Sequence, residues 1–581
     1  MKAVCLLVVF ILARILILAG RDIPMSPWTP FVYLWQDLLV VLMFAALNYL
    51  FRRRTRIGWT MYGLITLYTA VNVPITCVLS TPLTWPLIRA TRGALADSIA
   101  YHVTIGNILR INLVLAAGLL LPLLLRRLLE NVRPRTILLG VLAALVCLPL
   151  GWLGSTRIET LGLHRNVLTV LVTTALPRIA SQNDPGDWRR SPFGSPRAED
   201  LSSFRGAAYG RNVVVVHLES TGARYLHSYG AAENPMPHLT EMTQQAILFE
   251  NAYTTYPETI RSFFATQCGR FPAMDTEPEA YAHVSGPALA AVLSGAGYRT
   301  GLFHSGRFMY LGMESVIRGQ GYQTLEDASD IGGDHESSFG IDEPSTVRRI
   351  LRWIDAGPGD RPFLVSYLPI AGHHPYETPE AGPFSNDREI DCYRNALHYS
   401  DAALGQLIEG LRRRGLYDKT LFVIFGDHGE AFGQHPGNYG HTLFVHEENI
   451  RVPYMIAAPG LIYEPIRVHR VASLVDTFPT ILDLLGYSIP DGYQGRSLLN
   501  GQTNLALFCT DYSLGFLGLR DERWKAIYQI ESNQTQLYDL ENDPDEMRDL
   551  AGRFPERVET YRNHLQHWAA AQKYLITAPR N

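Results

Sequence analysis

Residues 421–430 read LFVIFGDHGE, and the fold is decided there. Five consecutive apolar residues stop at Gly426, and an acid and an imidazole follow at once as Asp427 and His428. An unbroken apolar run of this length predicts a strand buried on both faces, as in a sheet covered by helices on each side. Similar runs occur at 212–217 (NVVVVH), Arg299–His304, Phe363–Leu368 and 452–457. Between them, 391–415 carries apolar residues at helical spacing (Ala396, Tyr399, Ala403, Leu407, Leu411) and ends at Gly415. Alternating strands and helices predict an α/β domain with a parallel sheet. Ligands of such sheets lie beyond the carboxyl ends of the strands. Those ends carry Glu219, then His304 with Arg307, then His373 and His374, then Asp427-His428.

Upstream of this domain the composition changes. Crossing a bilayer core of about 30 Å takes roughly 20 apolar residues in a helix. Five stretches are read as spans: 3–19, 31–50, 58–79, 103–125 and 136–154. Four spans after the first make a cleaved signal peptide a poor reading of it. Arg14 interrupts the first span and is expected to snorkel to the interface, the alternative being a lipid contact. Arg52, Arg53, Arg54 and Arg56 crowd the loop after the second span, and Arg126, Arg127, Arg133 and Arg135 the loop after the fourth. The intervening loops hold only Arg21, and Arg89 with Arg92. Arg-rich loops stay cytoplasmic, so everything after residue 154 is expected outside the cell (inner) membrane, on the periplasmic or extracellular side. Residues 161–180 are read as an interfacial helix in preference to a sixth span, since His164, Arg165, Asn166 and Pro177 interrupt them. Residues 181–210 have linker composition. The expected units are 1–155 (transmembrane), 156–210 (interfacial helix and linker), 211–500 (catalytic α/β domain) and 501–581, a small antiparallel subdomain.

At 581 residues the chain exceeds what one hydrophobic core serves. A net charge of −4 without a basic stripe in the soluble part argues against a nucleic-acid partner. The six cysteines are scattered and form no CxxC, which excludes a zinc ribbon and a redox pair and leaves at most one disulfide in the soluble part.

The chemistry sits at the strand ends. Asp427 and His428 offer mixed oxygen and nitrogen donors to a divalent cation. Glu219 ends an apolar strand, where an unpaired carboxylate is costly to bury and a metal resolves the cost. A nucleophile is sought in 254–270 (TTYPETIRSFFATQCGR), where hydroxyls lie at a loop-to-helix junction that suits a phosphoryl group. Thr259 follows Pro257 closely, and Thr255, Ser262 and Thr266 compete with it on the same grounds. A hydroxyl of this kind needs activation, which metal contact supplies.

Taken together, VHLES (216–220), PETIRSFFATQCG (257–269), AGHHPY (371–376), FGDHGE (425–430) and LYDLENDPDEMRDL (537–550) resemble the sulfatase-like branch of the alkaline phosphatase superfamily over roughly 210–550. With apolar spans in front, the chain resembles lipoteichoic acid synthases and phosphoglycerol or phosphoethanolamine transferases. The TIRSFFATQCG segment looks closest to enzymes that place phosphoglycerol on periplasmic glucans. The resemblance implies Glu219, Thr259, Asp427 and His428 as ligands of one divalent ion (Mn, Zn or Mg), with a second, weaker ion possible. It implies Thr259 as the phosphorylated nucleophile and His373, His304 and Arg307 as substrate contacts. His441 is implied as a proton donor or second-ion ligand, with His435 and His446 as alternatives. Residues 340–343 (GIDE) are read as packing. The implied partners are a phospholipid donor, a glycan or lipid acceptor, and the bilayer. Hydrolysis by a phosphodiesterase or sulfatase, and a non-catalytic lipid sensor, are the rival readings. Cys268 precedes Gly-Arg-Phe-Pro, which is not the context in which sulfatases convert Cys or Ser to formylglycine.

Overall fold

The computed structural model describes the chain except residues 22, 24, 91–95, 131, 195–198, 285 and 579–581. Arg92 and part of the linker therefore lie outside the described residues. The N-terminal part contains the long helices Lys2–Leu18, Thr29–Leu50, Thr55–Leu79, Ile105–Glu130 and Pro134–Ser155. Four of these are long and apolar enough to cross a membrane, not five. The exception is Lys2–Leu18, whose 17 residues reach about 26 Å at 1.5 Å per residue. That falls short of a bilayer core of about 30 Å. Gly20, at φ +80°, turns the chain just after it. The segment expected to lie at the interface forms only the seven-residue helix Val167–Thr173, capped by the Asn166 side chain accepting from Leu168 N–H.

Arg14 corrects the sequence reading. It neither snorkels nor faces lipid, but lies buried with its guanidinium 2.9 and 3.0 Å from the two Asp37 oxygens. It also donates to the carbonyls of Leu163 and Arg165, and Asn166 donates to the same Asp37 at 2.7 Å. A cation placed among apolar helices needs such a partner, because removing one member of a buried pair strands the other charge. Arg14→Ala should cost about 3–5 kcal/mol, the usual figure for breaking a buried pair. Thermal unfolding in detergent checks it, and the double change Arg14→Met with Asp37→Leu should recover most of the loss.

The remainder is built on an eight-stranded sheet. Its strands are β1 (Asn212–Leu218), β2 (Ala246–Tyr253), β3 (Arg299–His304), β4 (Thr324–Glu326), β5 (Phe363–Leu368), β6 (Thr420–Gly426), β9 (Arg451–Ala457) and β10 (Ile466–Ser473). The small strands β7 (Ala431–Phe432) and β8 (Tyr439–Gly440) form a separate hairpin. The order across the sheet is β10-β2-β9-β6-β1-β5-β3-β4. The central strand shows why its sequence is unbroken: Val214 and Val216 pack into one core and Val213 and Val215 into another. Strand β6 divides in the same way, with Phe422 and Ile424 on one side and Leu421, Val423 and Phe425 on the other.

The sheet is mixed, not parallel throughout. Strand β9 runs antiparallel to both β6 and β2, while β6, β1, β5, β3 and β4 pair in parallel. No long crossover helix carries the chain back between β6 and β9, so β9 starts where β6 ends and returns in the opposite sense. Strands β2 and β10 escape the apolar-run criterion. Glu250 and Asn251 interrupt the first, and Arg467, His469 and Arg470 punctuate the second, which lies at the sheet edge. After residue 500, β11 (Ala506–Thr510), β12 (Phe516–Asp521), β13 (Trp524–Gln529) and β14 (Gln534–Asp539) form an antiparallel sheet. The helix Pro555–Thr577 covers it with Tyr561, Leu565 and Trp568. All six cysteines are free.

Connecting segments of the N-terminal part meet the loops of this second sheet. Buried Arg165 reaches Glu531 at 2.9 Å, the Ser513 hydroxyl at 2.8 Å and the Thr81 hydroxyl at 3.0 Å, and Thr84 donates to Tyr512 O at 2.5 Å.

Candidate metal centre

Strands β1 and β6 are neighbours in register, with Leu218 opposite Gly426, so the residues just beyond them emerge side by side. Glu219 and Asp427 are those residues. A Cβ on Gly426 would stand 2.0 Å from Thr221 O, and one on Gly429 would stand 2.1 Å from Glu448 O. The two glycines of GDHG therefore admit backbone that no side chain allows. Ser220, held at φ +51°, donates its N–H to Asp427 Oδ1 at 2.9 Å. A non-glycine residue in that region stores strain, and strain of this kind gathers at functional sites.

The helix Thr259–Cys268 points its first residue at these side chains. The Thr259 hydroxyl donates to Glu219 Oε2 at 3.0 Å and lies 3.4 Å from His428 Nε2. His428 Nε2 is 3.6 Å from Glu219 Oε1 and 3.6 Å from Asp427 Oδ2. Of the four hydroxyls weighed in the sequence, only this one touches the cluster. Thr255, Ser262 and Thr266 are buried elsewhere, Ser262 against Thr254 and Thr266 against Phe263 O.

Glu219, Asp427 and His428 are buried, and their donor atoms lie within 4.8 Å of one another. Burial pushes Asp427 up to about 7 and, with Asp427 beside it, raises Glu219 as well. Burial, with His441 nearby, brings His428 down to about 4. Each shift opposes charge in a buried pocket. Asp427 Oδ2 is buried without a hydrogen-bond partner. Two carboxylates, a neutral imidazole and a hydroxyl suit a divalent ion, and the orphaned oxygen is the atom it would satisfy.

His441 lies beside this group, its ring 4.1 Å from that of His428 and its Nδ1 2.7 Å from Glu430 Oε2. Tyr376 donates to the other Glu430 oxygen at 2.6 Å. His428, Glu430 and His441 also bring donor atoms within 4.8 Å. His373 stands next, its ring 6.1 Å from His441 and 4.0 Å from Phe339, on the wall of a cavity of about 240 Å³. Glu343, in the segment read as packing, accepts from the N–H groups of Ile370 and Ala371 and so steadies the turn that carries His373.

Two further residues proposed from sequence have local partners of their own. His304 bonds Leu368 O at 3.1 Å and stacks on Phe308, and burial brings it down to about 4. Arg307 donates to Ser329 at 2.9 Å and lies 3.9 Å from Glu336. The alternatives to His441 form their own cluster: His435 and His446 stack at 3.8 Å and pair with Glu448 and Glu546. Glu430 and Tyr376 were given no role in the sequence reading. Both were legible in principle, since Glu430 closes the GDHGE motif and Tyr376 closes HHPY.

The sulfatase family model matches residues 211–487. In that span it takes in every side chain of the cluster. Residues 211–487 thus form a sulfatase-like domain. Among curated relatives of this sulfatase-like domain, arylsulfatase K of Bos taurus is 31% identical over 243 residues, covering 36% of this chain and 44% of that protein. Lipoteichoic acid synthase 2 of Bacillus subtilis is 25% identical over 308 residues, covering 50% of this chain and 47% of that protein. The chain thus spans less than half the length of each. Among solved structures, an alkaline phosphatase superfamily protein from Vibrio parahaemolyticus superposes with a TM-score of 0.55 at 21% identity, over 68% of this chain and 93% of that one. A lipoteichoic acid synthase from Listeria monocytogenes gives 0.50 at 19%, over 66% and 97%. Likeness at this level shows the fold of the sulfatase-like domain and no more.

Proposed function

We propose that this membrane protein is a divalent-metal-dependent transferase that moves phosphoglycerol or phosphoethanolamine from a phospholipid to a hydroxyl of a glycan or lipid through phosphothreonine at residue 259. The observation that carries the reading is the Thr259 hydroxyl, set at a helix amino terminus and 3.0 Å from Glu219. Free N–H groups at such a terminus attract an anionic phosphoryl group. Glu219, Thr259, Asp427 and His428 would hold the ion, as manganese, zinc or magnesium; a weaker second ion would take Glu430 and His441 only in place of the proton-donor role of His441. A bound ion supplies a lowered hydroxyl pKa and stabilises charge on the phosphoryl oxygens.

The residues do the rest. Thr259 Oγ bonds to phosphorus as the bond to the diacylglycerol oxygen breaks, and the hydroxyl proton leaves toward Glu219 Oε2. Burial lowers His441 to about 4 and raises Glu430 to about 7, so Glu430 keeps the shared proton and donates it to Nδ1. His441 then carries its own proton on Nε2, gives it to the departing oxygen and takes the Glu430 proton at Nδ1. In the second half-reaction the acceptor hydroxyl bonds to phosphorus, the bond to Thr259 breaks, Glu219 returns its proton to Thr259 Oγ, and the same ring nitrogen takes the acceptor's proton. His373, its Nδ1 held by His374 O at 2.7 Å, presents Nε2 to the head group. His304 and Arg307, the latter 3.9 Å from Glu336 on the wall of the same cavity as His373, are the further head-group contacts of this reading.

The domain is read as facing outward from the Arg-rich loops at 52–56 and 126–135. The same reading holds whether or not Lys2–Leu18 crosses. The experiment that tests the function is intact and peptide mass after incubation with phospholipid vesicles. A head-group phosphate mass on the Thr259 peptide, passed on to an added glycan, supports transfer. Release of free head group alone would favour hydrolysis.

Hydrolysis of sulfate esters is the second reading, favoured by the arylsulfatase K match. Against it, Cys268 lies at the far end of the helix, about 14 Å from Thr259 at 1.5 Å per residue, and burial pushes its thiol up to about 12. Cys268→Ala should leave turnover within about twofold of the parent, since a protonated thiol at that distance takes no part in bond-making. An abolished rate would restore the sulfatase reading.

A further inference from the structure

The segment between the spans Thr55–Leu79 and Ile105–Arg127 reaches the rim of the metal centre. The His102 ring stacks on that of His374, with centroids 5.4 Å apart and planes 6° from parallel. Tyr101 meets the same His374 edge-on at 5.1 Å, although its own side is largely open, with 56% of its surface exposed. His374 in turn packs edge-on against Tyr376 at 5.4 Å. Tyr376 donates to Glu430, Glu430 holds His441, and the His441 ring lies on His428. The residue before His374 is His373, on the cavity wall. Two rings from the membrane part, Tyr101 exposed and His102 half-buried, thus sit at the outer end of a continuous contact chain whose inner end is a metal-ligand candidate.

We propose that Tyr101 and His102 are positioning residues: they clamp the His373–Tyr376 turn so that His373 and His441 face the Thr259 phosphoryl site. Offset and edge-on ring pairs attract beyond their buried area and so bias a short turn toward one placement. The inference rests on the reading of Thr259 and its neighbours as the reacting site. It adds that the membrane part completes the site as well as anchoring it.

The test uses the full chain in detergent with vesicles of phosphatidylglycerol and phosphatidylethanolamine. The appearance of the adduct on the Thr259 peptide is followed by mass spectrometry as lipid concentration varies. Tyr101→Ala with His102→Ala should lower the saturating rate constant at least about tenfold, because misplacing catalytic groups by about 1 Å costs up to 10²-fold. Half-saturating lipid and the melting temperature should stay near the parent's. Tyr101→Phe with His102→Phe keeps both rings and should restore the rate to within about threefold, since the stacking and edge contacts survive. A parent rate in the double alanine variant, or a loss that the phenylalanine pair does not rescue, would overturn the inference. An absent adduct in the parent, or full turnover by Thr259→Ala, would instead remove the functional reading beneath it.

Discussion

Thr259→Ala should abolish head-group transfer, lowering turnover by a factor of about 10³ or more, while the protein melts at its usual temperature. The size follows from the role: removing the nucleophile leaves only binding and electrostatic stabilisation, and groups that act as a unit fail together when one is lost. The indifference of stability follows from position. Thr259 is the first residue of its helix, partly exposed, and the cap before it is Glu258, locked to Arg261 at 2.6 Å. Truncating Thr259 therefore breaks no cap and opens no core cavity. Thr259→Ser keeps the hydroxyl but frees its rotamer, because the second substituent on Cβ is gone. It should retain between about one and ten per cent of the rate, consistent with a small misplacement of the attacking oxygen. Transfer from labelled phospholipid, with peptide mass for the adduct, reads both variants. An alanine variant that still transfers would move the nucleophile elsewhere.

Much of this site was legible before the fold. The metal triad follows from two strand ends: an apolar strand that finishes in a carboxylate, and another that finishes in Gly-Asp-His, become neighbours once the sheet forms. The threonine was not separable by sequence from Thr255, Ser262 and Thr266, since each hydroxyl lies near the same helix start. Only the helix orientation tells them apart, and that is set by packing of Phe263 and Phe264 into a core distant in sequence. The antiparallel course of β9 was hidden for a related reason. An apolar strand records burial on both faces but not its direction, which depends on the length and shape of the connection before it. Arg14 shows the limit in the membrane part. A lone arginine in an apolar run invites snorkelling, and its partner Asp37 sits in the next helix, where only the packed bundle brings the two together. Tyr101 and His102 carried no signal at all, because their meaning comes from contact with His374 more than 270 positions away.

Asp427→Asn should separate metal binding from folding. In the parent, Glu219 and Asp427 are buried together, with His428 3.6 Å from each and no ion pair to Lys or Arg among the described residues. Without an ion that arrangement is unfavourable, because like charges in a dry pocket repel and each loses its hydration. Asparagine has the same shape, so the acceptor oxygen can still receive the N–H groups of Ser220 and His428, now 2.9 and 2.7 Å from Oδ1. The metal-free variant should therefore melt at or above the temperature of the metal-free parent. With ion present the order reverses. An ion at a hundred times its Kd stabilises the parent by about 2.7 kcal/mol, and the variant, short of one anionic ligand, loses most of that. Turnover should fall by a factor of about 10³, in step with metal content, since the hydroxyl of Thr259 then lacks its activator. Melting curves with and without a chelator, alongside metal analysis, make the comparison. The parent should lose several degrees on chelation and the variant almost none. Equal chelator sensitivity in the two proteins would show that Asp427 is no ligand. A variant that melts lower than the parent under both conditions would mean that its negative charge supports the fold directly, through the N–H groups it accepts, and the cluster would then owe its carboxylates to structure.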